Sequence, residues 1–372
     1  MLRPSLLLCL LLLCAASLAA PARQTENVIL VTYDGLRWQE VFSGADPLLI
    51  ENKTDGGVQD TNALKATFWR DTPEARREIL LPFLWNVIAK NGQIFGNRPK
   101  GSTARVTNGL KFSYPGYNEL LTGSSDPRVD SNNKIPNPNV TVLEWLNQKP
   151  AYRNRVAAFC SWDVFPYIIN RDRSGVFVRA GREPMSTGRP NERKRLLDEL
   201  IRDTDPPWDS VVNDSLMFHS AHEYFRDHKP RVLYLAFDET DDWAHDKRYD
   251  RYLQAARRID RFVATIWTTA QSLRQYRGKT TLVITTDHGR GDAPVEWRNH
   301  GKDTKDAEFI WMAFLGPDTP ARGERTHTAE LTQGQIAATV AALLGEDYHQ
   351  AVPKSAPPIT DVLSASPQLK RR

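Results

Sequence analysis

Apolar positions fall into two alternating kinds of run along the chain. Short blocks that are β-branched or apolar end abruptly in polar residues: Asn27 to Tyr33, Arg155 to Cys160, Arg231 to Phe237, Thr280 to Thr286 and Glu308 to Leu315. Between them lie longer helical patterns over Pro73 to Lys90, Asn191 to Asp203, Lys247 to Leu273 and Thr332 to Leu344. In the third of these, Leu253, Ala256, Ile259, Phe262, Val263, Ile266, Ala270 and Leu273 share one face, and charged residues take the other. Strands alternating with long helices predict an α/β fold with a mainly parallel central sheet flanked by helices on both faces. In open sheets of this kind ligands gather beyond the carboxyl ends of the strands. Asp34, Asp241 and Asp287 all fall at such ends and are expected to converge.

The start of the chain breaks the pattern. Met1-Leu2-Arg3, a leucine-rich run from Leu6 to Leu13 and the small residues from Ala15 to Ala22 have the three regions of a secretory signal. Residues 1–22 are read as that signal, so the mature protein is expected to be secreted or periplasmic. No later apolar run approaches the roughly 20 residues that span a bilayer, so no transmembrane segment is expected in the mature chain. Cys9 and Cys14 leave with the signal, and Cys160 is left without an intrachain partner, which excludes a disulfide framework. The main domain is expected over 23–345, with an Arg- and Trp-rich cap or insertion over about 161–230 and a loose tail over 346–372. A net charge of +4 with both signs interspersed is too mild to imply a nucleic-acid polymer as partner. The sequons at Asn52, Asn139 and Asn213 are of a kind that chance supplies.

Two clusters carry candidate chemistry, Asp238 to His245 and Thr286-Asp287-His288-Gly289. Asp241 and His245 are four apart, which puts both on one side of a helical turn. Asp287 and His288 are adjacent, and Gly289 and Gly291 permit the sharp bend that pairing requires. Carboxylate oxygen and imidazole nitrogen are ligands for divalent metals. Asp238, Asp242 and Asp246 compete with Asp241 for a place beside His245, and only the four-residue spacing selects Asp241. His300 in Asn299-His300-Gly301 completes the set ahead of His327. His219 and His222 lie three apart on an amphipathic helix, where the ordinary reading is a satisfied helix face.

The ordered set Asp34, Ser113, Asp241-x-x-x-His245, Asp287-His288-Gly289 and His300-Gly301 resembles the alkaline phosphatase superfamily, in its nucleotide pyrophosphatase/phosphodiesterase and phosphoglycerate mutase branch. The segment from Ser113-Tyr114-Pro115 to Leu120-Leu121-Thr122-Gly123 is similar to the nucleophile segment of the phosphodiesterases. The resemblance covers roughly Val28 to Gly345 and implies an alkaline phosphatase-like fold. It implies Ser113 as nucleophile. One metal ion would be held by Asp241, His245 and His300, and a second by Asp34, Asp287, His288 and Ser113. Zn2+ is the expected ion, with Mn2+ and Ca2+ as alternatives.

The implied reaction is hydrolysis of a small-molecule phosphate ester through a phosphoseryl intermediate. Asn132 and Asn133 stand near the phosphate-donating Asn of the phosphodiesterases, and Lys111 and Arg290 are further anion contacts. Two other readings remain. A sulfatase would need Cys/Ser-x-Pro-x-Arg, and Tyr117 stands where that Arg belongs. A secreted scaffold would keep the metals without catalysis.

Overall fold

The block Asn27–Tyr33 is buried at all seven positions and becomes β1, at the centre of the main sheet. It is followed in chain order by β2 (Gln93–Phe95), β3 (Ala104–Arg105), β4 (Val156–Cys160), β5 (Phe177–Ala180) and β6 (Val232–Phe237). The remaining strands are β7 (Thr280–Thr285), β8 (Phe309–Ile310), β9 (Met312–Leu315), β10 (Gly323–Glu324) and β11 (Leu331–Thr332). This is a computed structural model describing residues 23–184 and 191–364. The main sheet runs β10-β2-β9-β7-β1-β6-β4-β5, and β3, β8 and β11 form a small second sheet. From β7 to β5 every pairing is parallel, whereas β9 runs antiparallel to both β7 and β2. The fold is the α/β arrangement expected, with an antiparallel margin.

Alternate residues of β1 enter different cores, as a strand buried on both faces requires. Ile29 and Val31 pack with the helices Asp214–His228 and Tyr249–Ser272. Val28 and Leu30 pack with Ser113–Thr122, Val142–Gln148 and Gln335–Leu343. The long helix Tyr249–Ser272 buries Leu253, Ala256, Ile259, Phe262, Val263, Ile266 and Ala270, the stripe read from its period.

Three expectations about organisation change. The block Glu308 to Leu315 is two strands, because Trp311 turns its ring inward against Tyr33 and donates from Nε1 to the Leu36 carbonyl at 3.0 Å. The stretch 161–230 is not wholly a cap: Phe177–Ala180 is the edge strand of the sheet, and the helix Asp214–His228 buries Met217, Phe218, Ala221 and Phe225 in the core. The stretch from 346 is packed as far as Ser364. Tyr348 and Val362 are fully buried, and the Tyr348 hydroxyl donates to the Val140 carbonyl at 2.8 Å. Residues 1–22, 185–190 and 365–372 lie outside the described residues, the signal reading with them.

Cys160 is buried and free. Of the sequons, Asn139 is buried, and its amide donates to Asn118 and Asp126, so the folded protein offers no glycan acceptor there. No helix among the described residues is long and apolar enough to cross a membrane.

Candidate active site

Parallel register brings the strand ends together. Tyr33 pairs with Phe237 and Thr32 with Thr285, so the residues leaving β1, β6 and β7 emerge side by side. Asp34 follows β1, Asp238 leads from β6 into the helix Glu239–His245, and Thr286-Asp287-His288 follow β7.

Asp34, Asp287 and His288 form the first donor group, with one ligand atom from each within 4.8 Å of the others. His288 Nε2 lies 3.4 Å from both Asp34 Oδ1 and Asp287 Oδ2. Both of those oxygens are buried without a hydrogen-bond partner among the described residues. Their sister oxygens are occupied: Tyr117 donates to Asp34 Oδ2 at 2.8 Å, and the Gly35 N–H donates to Asp287 Oδ1 at 3.1 Å. The His288 Nδ1–H donates to the Gly289 carbonyl at 2.9 Å, which leaves Nε2 free as a ligand. Orphaned buried carboxylate oxygens are costly unless a cation meets them.

The second group whose ligand atoms lie within 4.8 Å of one another is Asp241, His288 and His300, so His288 is common to both, and His245, expected in this group, adjoins Asp241 and His300. Asp241 Oδ2 is 3.2 Å from His245 Nε2, and the Nε2 atoms of His245 and His300 face each other at 2.9 Å. His300 Nδ1 donates to the Lys111 carbonyl at 3.2 Å, again directing Nε2 inward. Burial, then the neighbouring His288, pulls the pKa of both imidazoles down, so both are neutral and ligand-competent near neutral pH. The other acidic residues divide by environment. Asp246 accepts from Trp208 Nε1 at 3.1 Å. Burial raises the pKa values of Asp238 and Asp242, the latter to about 6.

Ser113 opens a ten-residue helix, Ser113–Thr122. Its Oγ is 3.4 Å from His288 Nε2, between the two groups. Pro115 in the first turn needs no N–H partner, which suits a helix start. Gly116 lets this helix lie directly on the strand end, since a Cβ there would be 2.4 Å from the Asp287 carbonyl oxygen. Asn132 Oδ1 accepts the Tyr114 N–H at 3.0 Å, so Asn132 bonds to the neighbour of Ser113, whereas Asn133 bonds through its carbonyl to the Ile135 N–H. The Lys111 ammonium is engaged by the Thr304 carbonyl at 2.7 Å and by Glu308 at 3.4 Å. Its carbonyl, on His300, is what reaches the site.

Several residues have roles that the sequence did not assign to them. Tyr117 fixes Asp34, and Thr240 Oγ1 donates to the Asp34 carbonyl at 2.6 Å. Arg290 is fully buried and bonds to Asp241 instead of reaching outward as an anion contact. Glu119 accepts from the backbone N–H and side chains of both Thr107 and Asn108 at 2.8–3.0 Å. Asn108 Oδ1 in turn takes the N–H groups of Leu110 and Lys111. Glu119 therefore shapes the loop that delivers the Lys111 carbonyl to His300. Glu119→Ala should lower stability by about 1–3 kcal/mol by stranding these donors, and a denaturant midpoint unchanged from the parent would contradict that role. Only a contact map could have exposed these residues, because no motif or spacing marks them.

His219 and His222 lie away from the site, with His222 Nε2 on Thr269 Oγ1 at 2.9 Å and its ring stacked on Phe218. His327 belongs to neither donor group.

The sheet and its covering helices are arranged as in several solved structures. The chain overlays alkaline phosphatase PafA with a TM-score of 0.57 at 10% identity, covering 93% of this chain and 100% of that one. The lipoteichoic acid synthase LtaP from Listeria monocytogenes gives a TM-score of 0.59 at 12% identity, covering 94% and 78%. A putative sulfatase from Bacteroides thetaiotaomicron gives 0.56 at 14%, covering 94% and 76%. No curated protein sequence matches significantly. The family description "Type I phosphodiesterase / nucleotide pyrophosphatase" matches residues 55–352, and the chain belongs to that family of hydrolases.

Proposed function

We propose that the chain is an exported, metal-dependent phosphoric ester hydrolase with Ser113 as its nucleophile. The observation that carries this reading is the position of Ser113 Oγ, 3.4 Å from His288 Nε2 at the start of a helix, where two donor groups meet. Oxygen and imidazole donors with orphaned buried carboxylate oxygens fit a pair of divalent ions, with zinc preferred for this mixture. Asp34, Asp287, His288 and Ser113 would hold one ion, and Asp241, His245 and His300 the other. Bound there, the ions would supply Lewis-acid stabilisation of negative charge on the Ser113 oxygen, the phosphoryl oxygens and the leaving oxygen.

The chain's own residues do the rest. The helix N-terminus favours the ionised Ser113 oxygen, and Gly116 keeps the helix seated against Asp287. Ser113 Oγ bonds to phosphorus as the bond to the leaving oxygen breaks, giving a phosphoseryl intermediate; the serine proton lost balances the alkoxide released. Water then bonds to phosphorus as the Oγ–P bond breaks, and one of its protons restores Ser113. Asn132, held by its Oδ1 on Tyr114, would donate from Nδ2 to a phosphoryl oxygen.

Family membership supports a diester over a monoester. Against a sulfatase stands Tyr117, whose hydroxyl is committed to Asp34 where the sulfatase pattern has an Arg. Matched aryl phosphate diester, monoester and sulfate ester substrates test the reading. The diester should turn over fastest and the sulfate at least about tenfold more slowly, a difference of about 1.4 kcal/mol in barrier. A faster sulfate reaction, with formylglycine at residue 113 by peptide mass spectrometry, would replace it. Turnover of none of the three by the metal-loaded protein would favour the scaffold.

A further inference from the structure

A guanidinium is an unusual occupant of a metal pocket. Arg290 is completely buried, and its fork is spent on three segments of chain. Nε donates to the Gly35 carbonyl at 3.1 Å, Nη1 to the Arg298 carbonyl at 2.6 Å, and Nη2 to the Asp241 carbonyl at 3.1 Å and to Asp241 Oδ1. Each of these partners is a candidate ligand or lies beside one. Gly35 follows Asp34, Arg298 precedes His300 by two, and Arg290 itself follows His288 by two. One rigid planar group thus joins all the strand-end segments that carry ligands.

The pocket is shaped for that group. A Cβ on Gly35 would lie 2.8 Å from Arg290 Nε and 2.9 Å from Asp241 Oδ1, and Gly35 has φ +58°, so this position is suited to glycine both sterically and conformationally. Burying a cation is costly unless charge-assisted bonds compensate, and among the described residues only the Asp241 carboxylate meets this one within ion-pair distance. The guanidinium takes Oδ1, which also lies 3.7 Å from the Nε2 atoms of His288 and His300, and so fixes the carboxylate with Oδ2 turned to His245 Nε2 at 3.2 Å.

We propose that Arg290 is a positioning residue: it fixes the orientation in which the Asp241 carboxylate meets the ion shared with His245 and His300, and it ties the segment of Asp241 to that of His300. This rests on the two-ion reading above. Its effect should fall mainly on that ion, because Asp34 is held by Tyr117 on its carboxylate and by Thr240 on its carbonyl.

The test is Zn2+ titration of the metal-free full chain, which reads affinity without turnover. The parent should take up two ions. Arg290→Met should retain one at parental affinity and bind the other about 10–100-fold more weakly, the usual consequence of losing a partner that orients a ligand. Arg290→Lys keeps the charge but not the fork and should show the same selective loss. In Arg290→Ala, millimolar guanidinium should restore the weakened site and methylammonium should not. Two ions bound at parental affinity by Arg290→Lys, or equal weakening of both ions, would overturn the proposal. If Arg290→Met fails to fold, the Lys variant and the rescue decide it. A parent chain that binds no divalent ion would instead overturn the two-ion reading itself.

Discussion

Ser113→Ala is expected to lower kcat on an aryl phosphate ester by at least about 10³-fold while both metal ions stay bound. Removing a nucleophile from a preorganised site typically leaves only the contribution of binding and electrostatics, hence a loss of that order or larger. The metals should stay because the hydroxyl is one donor added to complete groups: Asp34, Asp287 and His288 already converge without it, as do Asp241, His245 and His300. Stability should hardly change, since among the described residues the side-chain hydrogen bond of Ser113 Oγ is the long 3.4 Å approach to His288. Metal content by elemental analysis and single-turnover kinetics check the two halves separately. Parental kcat in the Ala variant would remove Ser113 from the mechanism.

Stripping the metals should abolish turnover, and their return should depend on pH at one site only. Burial alone would lower the pKa of His288, but the facing carboxylates of Asp287 and Asp34 outweigh it and raise the imidazole to about 9. Burial and the charge of Asp34 raise Asp287 to about 8. The sign follows directly. A raised pKa means that the proton is held below about pH 9, so an ion entering this group at neutral pH must displace it, and the competition disappears as pH rises through 9. Apparent Zn2+ affinity there should climb from pH 6 by up to about tenfold per pH unit for each proton displaced, with proton release visible as a buffer-dependent heat. The His245/His300 group has lowered pKa values and no such proton, so its affinity should be nearly flat above pH 7. Equal pH dependence of the two binding steps would show that the proton is not where the charges put it.

Four of the five strand blocks were legible because strands buried on both faces leave unbroken apolar runs, and the Tyr249–Ser272 helix because one of its faces meets solvent. The helix that begins at Ser113 shows the opposite case. All ten of its residues are buried, so it has no polar face to produce a 3.6-residue period, and Tyr114-Pro115-Gly116 reads as a turn. The packing of 346–364 was hidden because Tyr348, Ile359 and Val362 are isolated anchors among Pro and Ser. The candidate ligands could be picked out because coordination chemistry restricts residue type and spacing. The supporting roles of Tyr117, Glu119 and Arg290 could not, since a hydrogen bond between distant segments imposes no pattern on either one.

The register that joins the ends of β1, β6 and β7 also sets an order of events. Asp34 and Asp287 come from opposite ends of the chain and meet only when β1 is inserted between its two neighbours. An unfolded or partly synthesised chain therefore presents scattered Asp and His side chains, and an ion cannot template this fold as it does in a small zinc domain. Loading follows folding. On the proposed two-ion reading, the metals available in the compartment where the sheet closes would decide which ions are taken up, and affinity order alone would favour copper over zinc unless supply intervenes.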